Sequence, residues 1–89
     1  MKAIKIDVYG KVHGVYFRAN TCQKAKALKI NGTVKNMPDG SVQIMAEGDE
    51  NNLDQLVNWC HKGPLLAAVT GVKVGDTDIK GYSEFATLK

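Results

Sequence analysis

Apolar and polar positions alternate at the start of the chain. Ile4, Ile6 and Val8 are interleaved with Lys5, Asp7 and Tyr9, the period-two pattern of a strand with one buried face, and Gly10 closes it. Residues 10–17, GKVHGVYF, hold two glycines and read as a loop. From about Phe17 to Leu28 there is neither Pro nor Gly, and Ala19, Cys22, Ala25 and Leu28 recur every third residue, which predicts a helix with those side chains inward. Asn31 and Gly32 end it. Thr33–Met37 reads as a short strand, Pro38-Asp39-Gly40 as a hairpin turn, and Val42, Ile44 and Ala46 as the inward positions of the returning strand, which stops at Gly48. Leu53, Leu56, Val57 and Cys60 then fall at i, i+3, i+4 and i+7, a second helix capped by Asp49 or Asn52 and stopped by Gly63-Pro64. Val69, Val72 and Val74 suggest a further strand, bulged near Gly71, and Ser83–Leu88 a last short one.

The predicted order is βαββαβ with a short extra C-terminal strand. Two helices of this length cannot cover both faces of such a sheet, so the economical α+β packing is one antiparallel sheet with both helices on one face, a ferredoxin-like sandwich. That fold hosts enzymes, metal carriers, RNA binders and regulatory domains, so function must come from particular residues.

With 89 residues there is room for one domain, spanning 1–89. A composition 44% hydrophobic and 24% charged, with two prolines, is that of a folding chain rather than a disordered one. Lys2, Lys5 and Asp7 break every early apolar run, so no signal peptide is expected, and no stretch approaches the ~18 apolar residues of a membrane span. The expectation is a soluble, cytoplasmic monomer. Cys22 and Cys60 are too few for a secreted disulfide framework and neither lies in a zinc-spaced cluster; they read as buried thiols, and a bridge between them would need the two helices side by side. The net charge of +3 allows an anionic partner without demanding one.

Charge becomes informative through its distribution. Arg18 is the only arginine among twelve Lys and Arg residues, and it stands in the first turn of the first helix. A cation there opposes the helix dipole by about 0.3–1 kcal/mol, and an anion placed between them reverses the sign. Gly10 and Gly14 let the preceding loop turn tightly, the helix start supplies free N–H groups, and a guanidinium grips phosphoryl or carboxylate oxygens in pairs. Asn36, in phase with Val34 before the hairpin turn, carries an amide that donates and accepts at once and so suits the holding of a water, or simply the capping of the turn.

The run Gly10-Lys11-Val12-His13-Gly14-Val15-Tyr16-Phe17-Arg18 resembles the acylphosphatase signature GxVxGVxFR. Gly32-Thr33-Val34-Lys35-Asn36, followed by Pro38-Asp39-Gly40-Ser41-Val42, is similar to that family's second motif, GxVxN with a DGxV hairpin. Gly48, Gly63-Pro64 and the valines at 69, 72 and 74 extend the resemblance over nearly the whole chain. It departs at Thr33, where an aromatic is common, and at Thr87, where Ile is usual. The resemblance implies hydrolysis of acyl phosphates to a carboxylate and inorganic phosphate. It also implies phosphate binding by the loop amides of Val15, Tyr16, Phe17 and Arg18 with the Arg18 guanidinium, and water positioning by Asn36. His13 stands where the family also accepts Gln, so the resemblance gives it no acid–base role. No metal or cofactor is expected, since the acidic residues are scattered and neither His13 nor His61 has a ligand-spaced partner. The competing reading is a non-catalytic anion-binding or regulatory module of the same fold. RNA binding is disfavoured, because stacking aromatics on central strands are missing and the lysines are dispersed, so no nucleic-acid partner is expected.

Overall fold

The computed structural model describes residues 1–89. Its elements run β1 (Lys2–Lys11), α1 (Phe17–Ala27), β2 (Asn31–Asn36), β3 (Val42–Gly48), α2 (Glu50–Lys62), β4 (Ala68–Asp76) and β5 (Phe85–Leu88), with the sheet ordered β4-β1-β3-β2-β5. Ile4, Ile6 and Val8 pair across the antiparallel β1–β3 ladder with Ala46, Ile44 and Val42. All six are buried together with Val34, Leu53, Leu56, Cys60 and Phe85. The period-two pattern therefore does its expected work, setting the register and sending one apolar face toward the helices.

The buried side of α1 differs from the one its apolar letters suggest. Phe17, Thr21 and Ala25 face the core at i, i+4 and i+8, while Ala19 is exposed and Cys22 and Leu28 lie at the margin. Thr21 is hidden because its hydroxyl donates to the Phe17 carbonyl at 2.8 Å, which satisfies its polar group within the helix. On α2 the inward face is the expected one, with Leu53, Leu56 and Cys60 buried and Val57 packed at the edge. Cys22 and Cys60 are both free thiols, and burial pushes that of Cys60 up to about 12.

One correction concerns the sheet, which is mixed rather than purely antiparallel: β5 pairs parallel to β2. β4 runs away from the β1–α1 loop and ends beside Ile4. The chain then crosses the sheet at that remote end and re-enters beside Gly32, whose N–H donates to the Glu84 carbonyl at 2.9 Å. From there β5 can only run in the direction of β2.

Glu47 holds this crossing. It is buried on the face away from the helices, and its carboxylate accepts the backbone N–H groups of Lys80, Gly81 and Tyr82. Charged hydrogen bonds contribute ~1.5–3 kcal/mol each, but water replaces part of that once an exposed loop is freed. Glu47→Ala is accordingly expected to lower unfolding stability by ~2–3 kcal/mol in urea titrations.

Gly10 lies inside β1 rather than in the loop its motif suggests. There the register against β4 shifts, Tyr9 facing Gly71 and Gly10 facing Val69, and Thr70 is left over as a bulge. Gly10 has φ 119°, and a Cβ on it would stand 2.2 Å from the Ala68 carbonyl oxygen. Its glycine is required by the close approach of β4, upstream of the loop proper.

Candidate active site

At the end of the sheet where β1 and β2 finish, a cleft of about 440 Å³ is bounded by Val12, Gly14, Tyr16, Phe17, Arg18, Ala19, Asn36 and Thr87. It thus joins the β1–α1 loop, the first turn of α1, the last residue of β2 and the end of β5. Arg18 and Asn36, separate in the sequence, both line this cleft. Val15 does not line the cleft through its side chain, which is buried in the core, and Gly10 is absent from it.

The loop is shaped for exposed amides. Gly14 turns at φ 70°, and Tyr16, at the N-cap of α1, also takes the left-handed conformation with φ 62° and ψ 24°. A bulky residue there stores roughly 1–3 kcal/mol of strain, which surrounding structure must enforce. Asn20 does so: its backbone N–H and side-chain Nδ2 both donate to the Tyr16 carbonyl, at 3.1 and 2.9 Å. The amides of Val15 and Tyr16 donate to nothing in the chain, and those of Phe17, Arg18 and Ala19 belong to a helical turn that offers them no acceptor. Consecutive amides at a helix start, with the dipole behind them, form a receptor for a tetrahedral oxyanion.

Arg18 is half-buried beside them, and its Nη1 donates to the Leu88 carbonyl at 2.8 Å. That bond fixes the guanidinium while leaving most of its N–H fork unused. No carboxylate pairs with it, for the ion pairs of the molecule join Lys2 to Glu50 and Asp76, and Lys5 to Asp7. Asn36 presents a different feature, a buried Oδ1 without any donor in the chain. Such an orphan costs ~1–3 kcal/mol, and is tolerated where function needs the group.

His13 is occupied elsewhere. Its Nε2 lies 2.8 Å from the Ser41 carbonyl, donating to it, and the ring does not border the cleft. Ser41 is in turn held by Asp39, whose carboxylate accepts both its hydroxyl and its N–H, at 2.6 and 2.9 Å, and these bonds hold the Asp39 carboxyl below its ordinary range. The hairpin that carries Asn36 is thereby tied to the loop that leads into Arg18. Nowhere do three or more His, Cys, Asp or Glu residues gather as a metal ion would need, and no helix is long and apolar enough to cross a membrane.

Three features of the site escape the sequence. The Leu88 acceptor is a main-chain atom and carries no signal in its side chain. Tyr16 is a residue type that gives no warning of positive φ. Thr87 reaches the cleft only because β5 returns alongside β2.

Comparison with known proteins finds close relatives of the whole chain. The Acylphosphatase family model matches residues 4–87. The chain is 53% identical over 89 residues to the acylphosphatase of Thermotoga maritima, covering 100% of this chain and 98% of that one. It is 44% identical over 90 residues to that of Methylococcus capsulatus, again covering 100% and 98%. The crystal structure of acylphosphatase from Bacillus subtilis superposes with a TM-score of 0.97 at 36% identity, over 100% of both chains. Since family model, full-length relatives and fold coincide on the chain that brings Arg18 and Asn36 into one cleft, it belongs to the acylphosphatase family.

Proposed function

We propose that this protein hydrolyses the carboxyl–phosphate bond of acyl phosphates without a metal ion, acting as a cytoplasmic monomer. The phosphoryl oxygens lie on the amides of Val15, Tyr16, Phe17 and Arg18 and on the Arg18 guanidinium, and Asn36 orients the attacking water. The observation that carries this reading is the meeting, in one cleft, of unpaired amides at a helix start, a guanidinium without a carboxylate partner and the side-chain amide of Asn36.

Chemistry explains why so few groups suffice. The leaving group is a carboxylate whose conjugate acid has a pKa of about 4, so it departs unprotonated and no general acid is required. The water oxygen bonds to phosphorus as the acyl oxygen leaves with the electron pair of the broken P–O bond, and the water's proton passes to a phosphoryl oxygen, giving carboxylate and inorganic phosphate. In such a reaction the protein's contribution is positioning and charge stabilisation. Asn36 fits the water's needs, because rotation of its terminal amide about a broad torsion presents Oδ1 as acceptor and Nδ2 as donor. The two free cysteines suit a reducing compartment.

Benzoyl phosphate turnover, followed by loss of absorbance, tests the reading. Undiminished hydrolysis is expected after exhaustive treatment with a chelator. Loss of activity that returns on adding a divalent cation would sink the metal-free mechanism, and no turnover by the folded protein would leave the loop a non-catalytic anion site.

A further inference from the structure

The phosphate cradle accounts for half of an acyl phosphate and leaves open where the acyl group goes. A groove of about 300 Å³ borders the cleft, lined by Val15, Tyr16, Asn20, Pro64, Leu65 and Leu66, and Tyr16 lines both depressions. Its rim is unusual for a molecular surface: Tyr16 is 74% exposed, Leu65 98% and Leu66 63%. Large apolar side chains that cluster in the open mark a binding surface more often than isolated ones do. No charged residue lines the groove, and the one side-chain amide there, that of Asn20, is committed to the Tyr16 carbonyl.

The direction of attack selects this groove. At the cleft end of the sheet, Asn36 terminates β2 and Leu88 terminates β5 on one flank, while residues 64–66 lead into β4 on the opposite flank, with β1 and β3 between. In-line displacement requires the leaving oxygen to depart from the side of phosphorus away from the attacking water. With water on the Asn36 flank, the acyl oxygen points toward Pro64–Leu66. That segment is held close to the cradle, because Gly63 packs so tightly on Phe17 that a Cβ would stand 2.8 Å from its Cε2, and because the Ala67 N–H donates to the Pro64 carbonyl at 3.0 Å.

We infer that Tyr16, Leu65 and Leu66 form the acyl-recognition ledge of the enzyme, selecting acyl phosphates with aromatic or long aliphatic acyl groups over acetyl phosphate. The inference rests on the acyl phosphate reading given above. An apolar contact made in both ground and transition state acts through KM, with kcat little changed.

The test compares kcat/KM for benzoyl phosphate and for acetyl phosphate in the parent and in the double variant Leu65→Ser/Leu66→Ser. Dividing the two substrates' values, and then parent by variant, cancels their intrinsic reactivities. A fall in the benzoyl-to-acetyl ratio of about tenfold, carried by KM for benzoyl phosphate, is expected from loss of two apolar contacts. Leu65→Met/Leu66→Met, which keeps the apolar volume, is expected to retain the parent ratio. An unchanged ratio in the serine variant, with both substrates still hydrolysed, overturns the ledge and leaves the activity standing. A parent dimer in sedimentation that the serine variant dissolves without moving the ratio assigns the face to self-association and equally overturns the ledge. A folded parent that hydrolyses neither substrate overturns the activity, and the ledge with it.

Discussion

Arg18→Ala is expected to abolish benzoyl phosphate hydrolysis to near background, a loss of at least about 10²- to 10³-fold in kcat/KM, while leaving the fold intact. The lower bound is the typical effect of removing one preorganised donor from an oxyanion site, and Arg18 is the only charged residue lining this cleft. Structural collapse is not the cause, because the bond lost to the Leu88 carbonyl is solvent-exposed and removal of a cation from the first turn of α1 relieves its opposition to the helix dipole. Circular dichroism and urea titration should therefore superpose on the parent within about 0.5 kcal/mol. Arg18→Lys separates charge from geometry. Lysine retains the charge but cannot reach the Leu88 carbonyl and two phosphoryl oxygens with a planar fork, so it is expected to remain badly impaired. Activity in Arg18→Lys close to that of the parent would show that a point charge suffices, and the bidentate grip would have to be abandoned.

Asn36→Ala should split activity from stability in the opposite sense. A water that loses its positioning group attacks from the wrong place, and misplacement of about 1 Å costs ~10² in rate, so kcat is expected to fall by about that factor. The amides and guanidinium proposed to hold phosphate are untouched, hence competitive inhibition by inorganic phosphate should change little. The buried Oδ1 of Asn36 has no donor in the chain, and its removal deletes an unsatisfied acceptor. The variant is expected to match the parent in stability or to exceed it by ~1 kcal/mol in denaturant titrations. A main effect on phosphate affinity would move Asn36 from the water to the cradle.

Much of this site is legible in the amino-acid sequence alone, for a local reason. GKVHGVYFR places loop, helix start and arginine within one contiguous run, and GTVKN with PDGSV places an amide at the end of a strand fixed by its own hairpin. Each motif is local, and the sheet has only to bring two strand ends together. The β1–β3 and β2–β3 ladders, whose registers carry Ile6 to Ile44 and Val34 to Ile44, guarantee that meeting. Gly10 misleads for the complementary reason: its φ of 119° answers to β4, a strand more than fifty residues further along the chain, and a glycine serving a distant neighbour looks the same as one serving its own loop.

Alternation and helical spacing along the chain determined which faces of the strands and of α2 are buried, because burial of apolar side chains obeys the period of the backbone that carries them. The two motifs likewise supplied the functional groups of the cleft, since a lone arginine at a helix start and an amide at a strand end keep their character in any packing. Tertiary structure decided the rest. Glu47 became the clamp of the β4–β5 crossing, β5 took its parallel course beside β2, and the Leu88 carbonyl came to hold Arg18. Thr21 entered the core by satisfying its hydroxyl within α1. The Glu47 clamp and the Arg18 bond depend on main-chain donors and acceptors meeting side chains from remote segments. Every residue but proline carries those main-chain groups alike, so only the assembled fold distinguishes one from another.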